Sequence, residues 1–289
     1  MDITSKFPKM ETTIFSQVST LALKHNAINL GQGFPNFGAD PYIIERLNYH
    51  SSHGVNQYAP MTGMPQLIES INKLHQSGEV TITSGATEAI FCAISAIIHS
   101  GDEVIVFDPS YDSYVPNIEL NGGIATRINL NADFNIDWNL VESKITSKTK
   151  AIILNTPHNP SGKILTQDDL NSLWELIKNK NIFIISDEVY QFITFDGRKH
   201  LSPMDDERMS ERTFAISSFG KTFHVTGWKV GYCRASSKLT KEFRKIHQYI
   251  TFCTPGNIQL AISDMLENKI DEVRGLSRFY QAFFVFPYL

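Results

Sequence analysis

The sequence predicts an α/β protein, a mostly parallel sheet with helices on both faces. Three observations lead there. From residue 79 onward short apolar runs alternate with helical patterns. Several runs, such as Ala151-Ile152-Ile153-Leu154, are apolar throughout, as strands covered on both faces must be. A chain of 289 residues with 42% apolar and 19% charged residues can also bury a core of that size.

In order, residues 10–25 read as a short helix, and Asn29-Leu30-Gly31-Gln32-Gly33-Phe34-Pro35 as an irregular loop broken by glycine and proline. Asp40-Pro41 caps a second helix running to about residue 53, with proline at its first position. After a loop over 56–60, residues 63–74 are helical again. Strands follow over 79–83, 103–107, 124–130 and 150–154, with a strongly apolar helix over 86–98 after the first. Thr166 caps a helix ending near 178, and Asp168 and Asp169 in its first turn suit the helix dipole. Strands at 182–185, 213–217 and 228–235 complete the sheet, and helices over 238–249, 257–268 and 271–280 follow. The last nine residues are mostly apolar and do not continue the polar face of the helix before them.

Composition narrows the function classes. The net charge of −4, without any block of like charge, gives no reason to expect nucleic acid or an anionic membrane as partner. The longest apolar runs are strand-sized, so no membrane span is expected, and the N-terminus lacks the apolar core of a signal peptide. Three widely spaced cysteines, Cys92, Cys233 and Cys253, read as reduced core residues of a cytoplasmic protein.

In parallel sheets ligands bind beyond the carboxyl ends of the strands. The segments there are Ser84-Gly85-Ala86-Thr87, Asp108-Pro109-Ser110-Tyr111, residues 155–162, 186–190 and 217–221, and they hold nearly every suggestive side chain. Lys221 follows a strand on a turn loosened by Gly220, with Lys229 eight positions on. An amine so placed, desolvated or beside a second cation, suits Schiff-base chemistry, although two lysines at the ends of a hairpin can equally be surface charges. A pyridoxal phosphate site has matching needs. Gly85-Ala86-Thr87 opening a helix, with Ser218 and Lys229, suits the phosphate. Asp187 suits the ring nitrogen, Tyr190 and Asn159 the ring oxygen, and Tyr111 the ring face. Each has a plain alternative: an ordinary strand-to-helix turn, a helix cap, a core aromatic.

Taken in this order, the pieces resemble fold type I pyridoxal-phosphate enzymes of the class I/II aminotransferase family. The resemblance rests on Ser217-Ser218-Phe219-Gly220-Lys221 with Lys229, Asn155-Thr156-Pro157-His158-Asn159-Pro160-Ser161-Gly162, Ser186-Asp187-Glu188-Val189-Tyr190 and Asn56-Gln57-Tyr58. The wording around Lys221 and residues 30–35 is most similar to the methionine and kynurenine aminotransferase branch.

The resemblance implies pyridoxal 5′-phosphate as cofactor, amino acids and 2-oxo acids as substrates, and a homodimer. Lys221 would hold the cofactor and shuttle the proton, and Asp187 would pair with the ring nitrogen. Tyr190 and Asn159 would bind the ring oxygen, with Tyr111 and Val189 on the ring faces. Ala86, Thr87, Ser218 and Lys229 would hold the phosphate, and Tyr58 would reach the phosphate of the neighbouring subunit. Gly33 and Asn159 would lie near the substrate carboxylate. It also implies three regions: an arm and part of a small domain at 1–39, the large domain at 40–250, and the helical start of an incomplete small domain at 251–289. Two departures from the family stand out: a shortened connection after residue 75, and no counterpart of the C-terminal segment that carries a carboxylate-gripping arginine. Arg274 and Arg278 read as exposed helix charges instead. The expectation is therefore a transaminase of reduced turnover, with a carbon–sulfur β-lyase or a non-catalytic remnant as alternatives.

Overall fold

The strands order themselves as β1-β7-β6-β5-β4-β2-β3 in a single seven-stranded sheet. The computed structural model describes residues 3–8, 12–31, 33, 37–75 and 77–285. These fall into two units, 1–38 and 39–289. In the first, α1 (Ile14–Lys24) is capped by Thr13, whose hydroxyl accepts from the Ser16 amide. Gln32 and residues 34–36, part of the expected loop, lie outside the described residues, as do Met10 and residues 286–289.

The second unit opens with α2 (Pro41–Ser52), where the Asp40 carboxylate accepts from the Tyr42 amide, and α3 (Pro65–Leu74), two residues shorter than expected. Then β1 (Glu79–Thr83), α4 (Gly85–Ile97) and β2 (Glu103–Asp108) follow. Next comes α5 (Tyr114–Leu120), which the sequence pattern did not signal: seven residues containing Pro116 are too few to display a helical period. The chain continues with β3 (Ile124–Asn129), the similarly short α6 (Trp138–Lys144) and β4 (Thr149–Asn155). Thr166 and Asp169 form a reciprocal cap on α7 (Gln167–Ile177), and β5 (Phe183–Asp187) and β6 (Thr213–Ser218) bring the chain to Lys221.

Two expectations fail here. Lys221 sits on the one-turn helix α8 (Phe219–Thr222) and not on an open turn. The strand expected from Trp228 starts only at Gly231, as β7 (Gly231–Ala235), because Thr226–Trp228 form a 3₁₀ turn and Lys229 is left-handed at φ 52°. Helices α9 (Ser237–His247), α10 (Gly256–Asn268) and α11 (Ile270–Val285) close the described chain. Arg274 and Arg278 are exposed on α11, as expected. Among the described residues no helix is long and apolar enough to cross a membrane.

The apolar strands divide their side chains by alternation. Val104, Val106, Ala151, Ile153 and Ile185 join α4, α5 and α9 on one face. Ile105, Phe107, Ile152, Leu154 and Ile184 join α6 and α7 on the other. A third core packs α2, α3, α10 and α11 with Val80, Ile82 and Tyr232 at the β1–β7 edge. Parallel pairing of β2, β3, β4, β5 and β6 sets their carboxyl ends side by side. Only β7 runs against its neighbours, pairing Gly231 with both Thr83 and Ser218. Its first residue therefore meets the last residues of β1 and β6.

Candidate active site

Asp187 ends β5 in register with Asn155 at the end of β4. It is only 4% exposed, and its Oδ2 accepts a 2.6 Å hydrogen bond from the Tyr114 phenol. Burial pushes its carboxyl up to about 6, against the pull of the Tyr114 bond and the Val189 amide. The neighbouring acid behaves oppositely. Glu188 is as deeply buried, but His200 at 3.2 Å, Arg234 at 3.7 Å and the Ser202 hydroxyl surround it. These outweigh burial and hold it below the ordinary carboxylate range. One carboxylate is thus neutralised internally and the other is left to face a cationic partner.

Around Asp187 the strand ends deliver aromatic rings. Tyr111 meets Tyr114 edge-on at 5.7 Å, and its phenol lies 3.3 Å from the Thr87 hydroxyl at the start of α4. Lys221 Nζ stands 5.8 Å from the centre of the Tyr190 ring. Burial, with Lys229 adding to it, lowers the Lys221 ammonium below its ordinary value, so more of the amine is neutral and nucleophilic. Burial pushes the Tyr190 phenol up to about 12, with Asp187 adding to the shift. It remains a hydrogen-bond donor at neutral pH.

Beside this group lies a seat for an anion. Gly85 opens α4 at φ 79°, and a Cβ there would stand 3.3 Å from Cε and Nζ of Lys229. A Cβ on Gly231 would lie 2.7 Å from the Ala86 nitrogen and 2.8 Å from the Ser217 carbonyl. Two glycines thus let β7, β6 and the amide end of α4 close together beneath one ammonium.

The structure therefore brings together Lys221, Asp187, Tyr190, Tyr111 and Thr87, with Ala86, Ser218 and Lys229 at the adjoining strand and helix ends. Val189 is half-buried directly after Asp187 and Glu188. Asn159 is exposed, and its amide donates to the Asn155 side chain at 2.8 Å. Tyr58 is 87% exposed, packing edge-on against Phe252. Gly33 belongs to the first unit. Sequence reasoning missed Tyr114 and Asn155. The Tyr111/Tyr114 spacing is the signal that could have found the first. For the second, Asn155 opens the very segment after β4, and its Nδ2 donates to the Asp187 carbonyl at 3.0 Å.

A parallel sheet whose carboxyl edge joins a depressed lysine, a buried aspartate and an anion seat defines an enzyme that handles a phosphorylated aromatic cofactor. The chain belongs to the aminotransferase class I and II family, whose model matches residues 25–282. That family depends on pyridoxal 5′-phosphate. Over 287 residues the chain is 47% identical to a methionine aminotransferase of Escherichia coli, covering 96% of this chain and 74% of that protein. It is 35% identical to a kynurenine–oxoglutarate transaminase of Dictyostelium discoideum, covering 93% of this chain and 69% of that one. A solved Escherichia coli structure with a methionine aminotransferase function superposes with a TM-score of 0.93 at 47% identity, over 98% of this chain and 76% of that chain. The N-succinyldiaminopimelate aminotransferase structure from Mycobacterium tuberculosis superposes with a TM-score of 0.91 at 32% identity, over 97% of this chain and 76% of that chain. The residues present fit the family's cofactor: the glycine-lined amide end of α4 has room for a phosphate, and the buried Asp187 would suit a protonated ring nitrogen.

Proposed function

We propose that this chain transfers the amine of methionine, or of an aromatic amino acid, to a 2-oxo acid, using pyridoxal 5′-phosphate. The observation that carries the reading is the lowered Lys221 amine over the Tyr190 ring, whose phenol also feels the buried carboxylate of Asp187 at the same strand edge. The methionine preference is supported by the 47% identical relative, and the aromatic one by the kynurenine transaminase. When bound, the cofactor supplies an electron-accepting ring conjugated to the amine being moved.

The chain's own residues do the rest. Lys221 would hold the cofactor through its amine and, when that amine is free, would take and return the proton of the substrate α carbon. Asp187 keeps the ring nitrogen protonated, and the Tyr114 hydrogen bond fixes the carboxylate's orientation. Tyr190 and Asn159 bind the ring oxygen, while Tyr111 and Val189 flank the ring. Ala86, Thr87, Ser218 and Lys229 hold the phosphate. Asn159 would approach the substrate carboxylate. A homodimer is supported by the exposed Tyr58 phenol, which is available to a second subunit's phosphate. A cytoplasmic setting is supported by three free cysteines, two of them buried.

Reductive trapping tests the reading. Borohydride treatment after addition of pyridoxal 5′-phosphate should fix the label on Lys221, and Lys221→Ala should abolish it. Equal labelling of other lysines would overturn the assignment. In the same preparation, amine transfer from methionine marks the transaminase. Pyruvate and thiol released from a cysteine conjugate would instead mark a β-lyase.

A further inference from the structure

His247, the last residue of α9, is completely buried. Its Nδ1 lies 2.7 Å from Oε1 of Glu88, and its Nε2 2.9 Å from the carbonyl oxygen of Met61. A carbonyl can only accept. The Glu88 carboxylate also receives the Thr251 hydroxyl at 2.6 Å and the Ser84 amide. Burial opposes its ionisation, but the bonds from His247, Thr251 and Ser84 outweigh burial and hold its carboxyl below the ordinary value. With the Glu88 carboxylate on one side and a carbonyl on the other, the geometry suits a ring that donates from both nitrogens.

The other titratable group here is Cys92, whose ligand atom lies within 4.8 Å of those of Glu88 and His247. Burial pushes its thiol up, so it adds no charge. A 2.7 Å separation is that of a direct hydrogen bond, with His247 Nε2 already turned to Met61, so these three residues form a hydrogen-bonded pair beside a thiol and not a cation cage.

A buried ion pair is expensive to desolvate, and neutral groups of similar shape often serve stability as well. Its location supplies a reason for it. Glu88 lies in the first turn of α4 and grips the amide of Ser84, the residue that introduces Gly85, Ala86 and Thr87. Met61 lies three residues after Tyr58. The pair therefore ties the amide end of α4 and the Tyr58 loop to one point on α9. It also cancels a negative charge that would otherwise face any phosphate seated on the same helix end.

We propose that the His247–Glu88 pair is a positioning element for the phosphate seat, fixing the amide end of α4, holding through Met61 the loop that offers Tyr58 to a second subunit, and neutralising the Glu88 charge. The proposal rests on the cofactor reading above.

Affinities of the full chain for pyridoxal 5′-phosphate and for pyridoxal separate the phosphate contribution from that of the ring. His247→Leu should weaken pyridoxal 5′-phosphate binding about tenfold or more, the scale of a lost charge-assisted bond, while pyridoxal binding changes by less than about threefold. Glu88→Gln, which can donate to a neutral imidazole and still accept from Ser84, should stay within about threefold of the parent for both. Nitrogen-15 resonances of His247 should show both ring nitrogens bearing protons in the parent and only one in Glu88→Gln. Equal losses for both ligands, or a neutral His247 in the parent, would overturn the proposal. If His247→Leu does not fold, His247→Gln is held to the same criterion. A parent chain that binds neither ligand at Lys221 would defeat the cofactor reading instead, and the resonances would still report on the pair.

Discussion

Asp187 concentrates a conflict between stability and chemistry in one side chain. Its carboxyl is raised from 3.8 to about 6 by burial. Below about pH 4 both the folded and unfolded forms are protonated and burial carries no electrostatic penalty. As pH rises through that window, the unfolded chain ionises first and stability is lost, by about 3 kcal/mol once pH passes 6, at 1.36 kcal/mol per unit. Asp187→Asn keeps an acceptor for Tyr114 and removes the ionisation. The cofactor-free variant should therefore be more stable than the parent at pH 7.5, by up to about 3 kcal/mol, and no more stable at pH 3.5. Urea titrations at the two pH values check this, and an identical gain at both would contradict it. The same variant should bind pyridoxal 5′-phosphate poorly. The position of Asp187 was legible in the sequence, because it closes an apolar run that reads as a buried strand. Tyr114, which orients it, was not legible. It opens a helix too short to show a period, and nothing local links it to a residue 73 positions away.

At the scale of elements, the anion seat depends on how closely β7 approaches α4. Gly231 is the tightest point, since a side chain there would strike the Ala86 nitrogen and the Ser217 carbonyl, both backbone atoms that cannot rotate away. Gly231→Ala should push β7 and α4 apart, costing about 1–3 kcal/mol of stability and at least about tenfold in phosphate affinity. Calorimetry with inorganic phosphate and thermal melts measure the two effects. Undiminished phosphate binding would mean that the seat lies elsewhere. The strands and long helices were readable from periodicity, within a residue or two at most ends. The start of β7 was not: Trp228, Lys229 and Val230 have strand-like neighbours, but pairing begins where β7 can bond to β1 and β6 at once. Lys229 instead adopts a left-handed backbone, which turns its ammonium toward Gly85. Searching only the segments after strands overlooks such a residue. Lys229 was found by its spacing from Lys221 and by family resemblance.

For the whole molecule, the second unit rests on three cores, one on each face of the sheet and one beyond the β1–β7 edge. Tyr58 stands outside all of them, almost fully exposed. If its phenol serves a second copy, Tyr58→Phe should leave the sedimentation of a dimer unchanged and weaken pyridoxal 5′-phosphate about tenfold, the scale of one phosphate hydrogen bond. A parent chain that sediments as a monomer with full cofactor affinity would refute it. The three cores could be anticipated from composition and alternation, but the tie between α9, α4 and the Tyr58 loop could not. His247, Glu88 and Met61 have no sequence signature in common, and only folding makes them neighbours.

The reversed direction of β7 has a consequence in time. Its pairing with β1 joins residues 79–83 to residues 231–235, so the contact closes a loop of about half of the chain. The seat for the phosphate is made where those two strands and β6 meet, and no shorter stretch of the polypeptide contains it. During synthesis the chain therefore has no place for the cofactor until residue 231 has emerged and the sheet has closed over its widest gap. Cofactor held there would stabilise this long-range pairing.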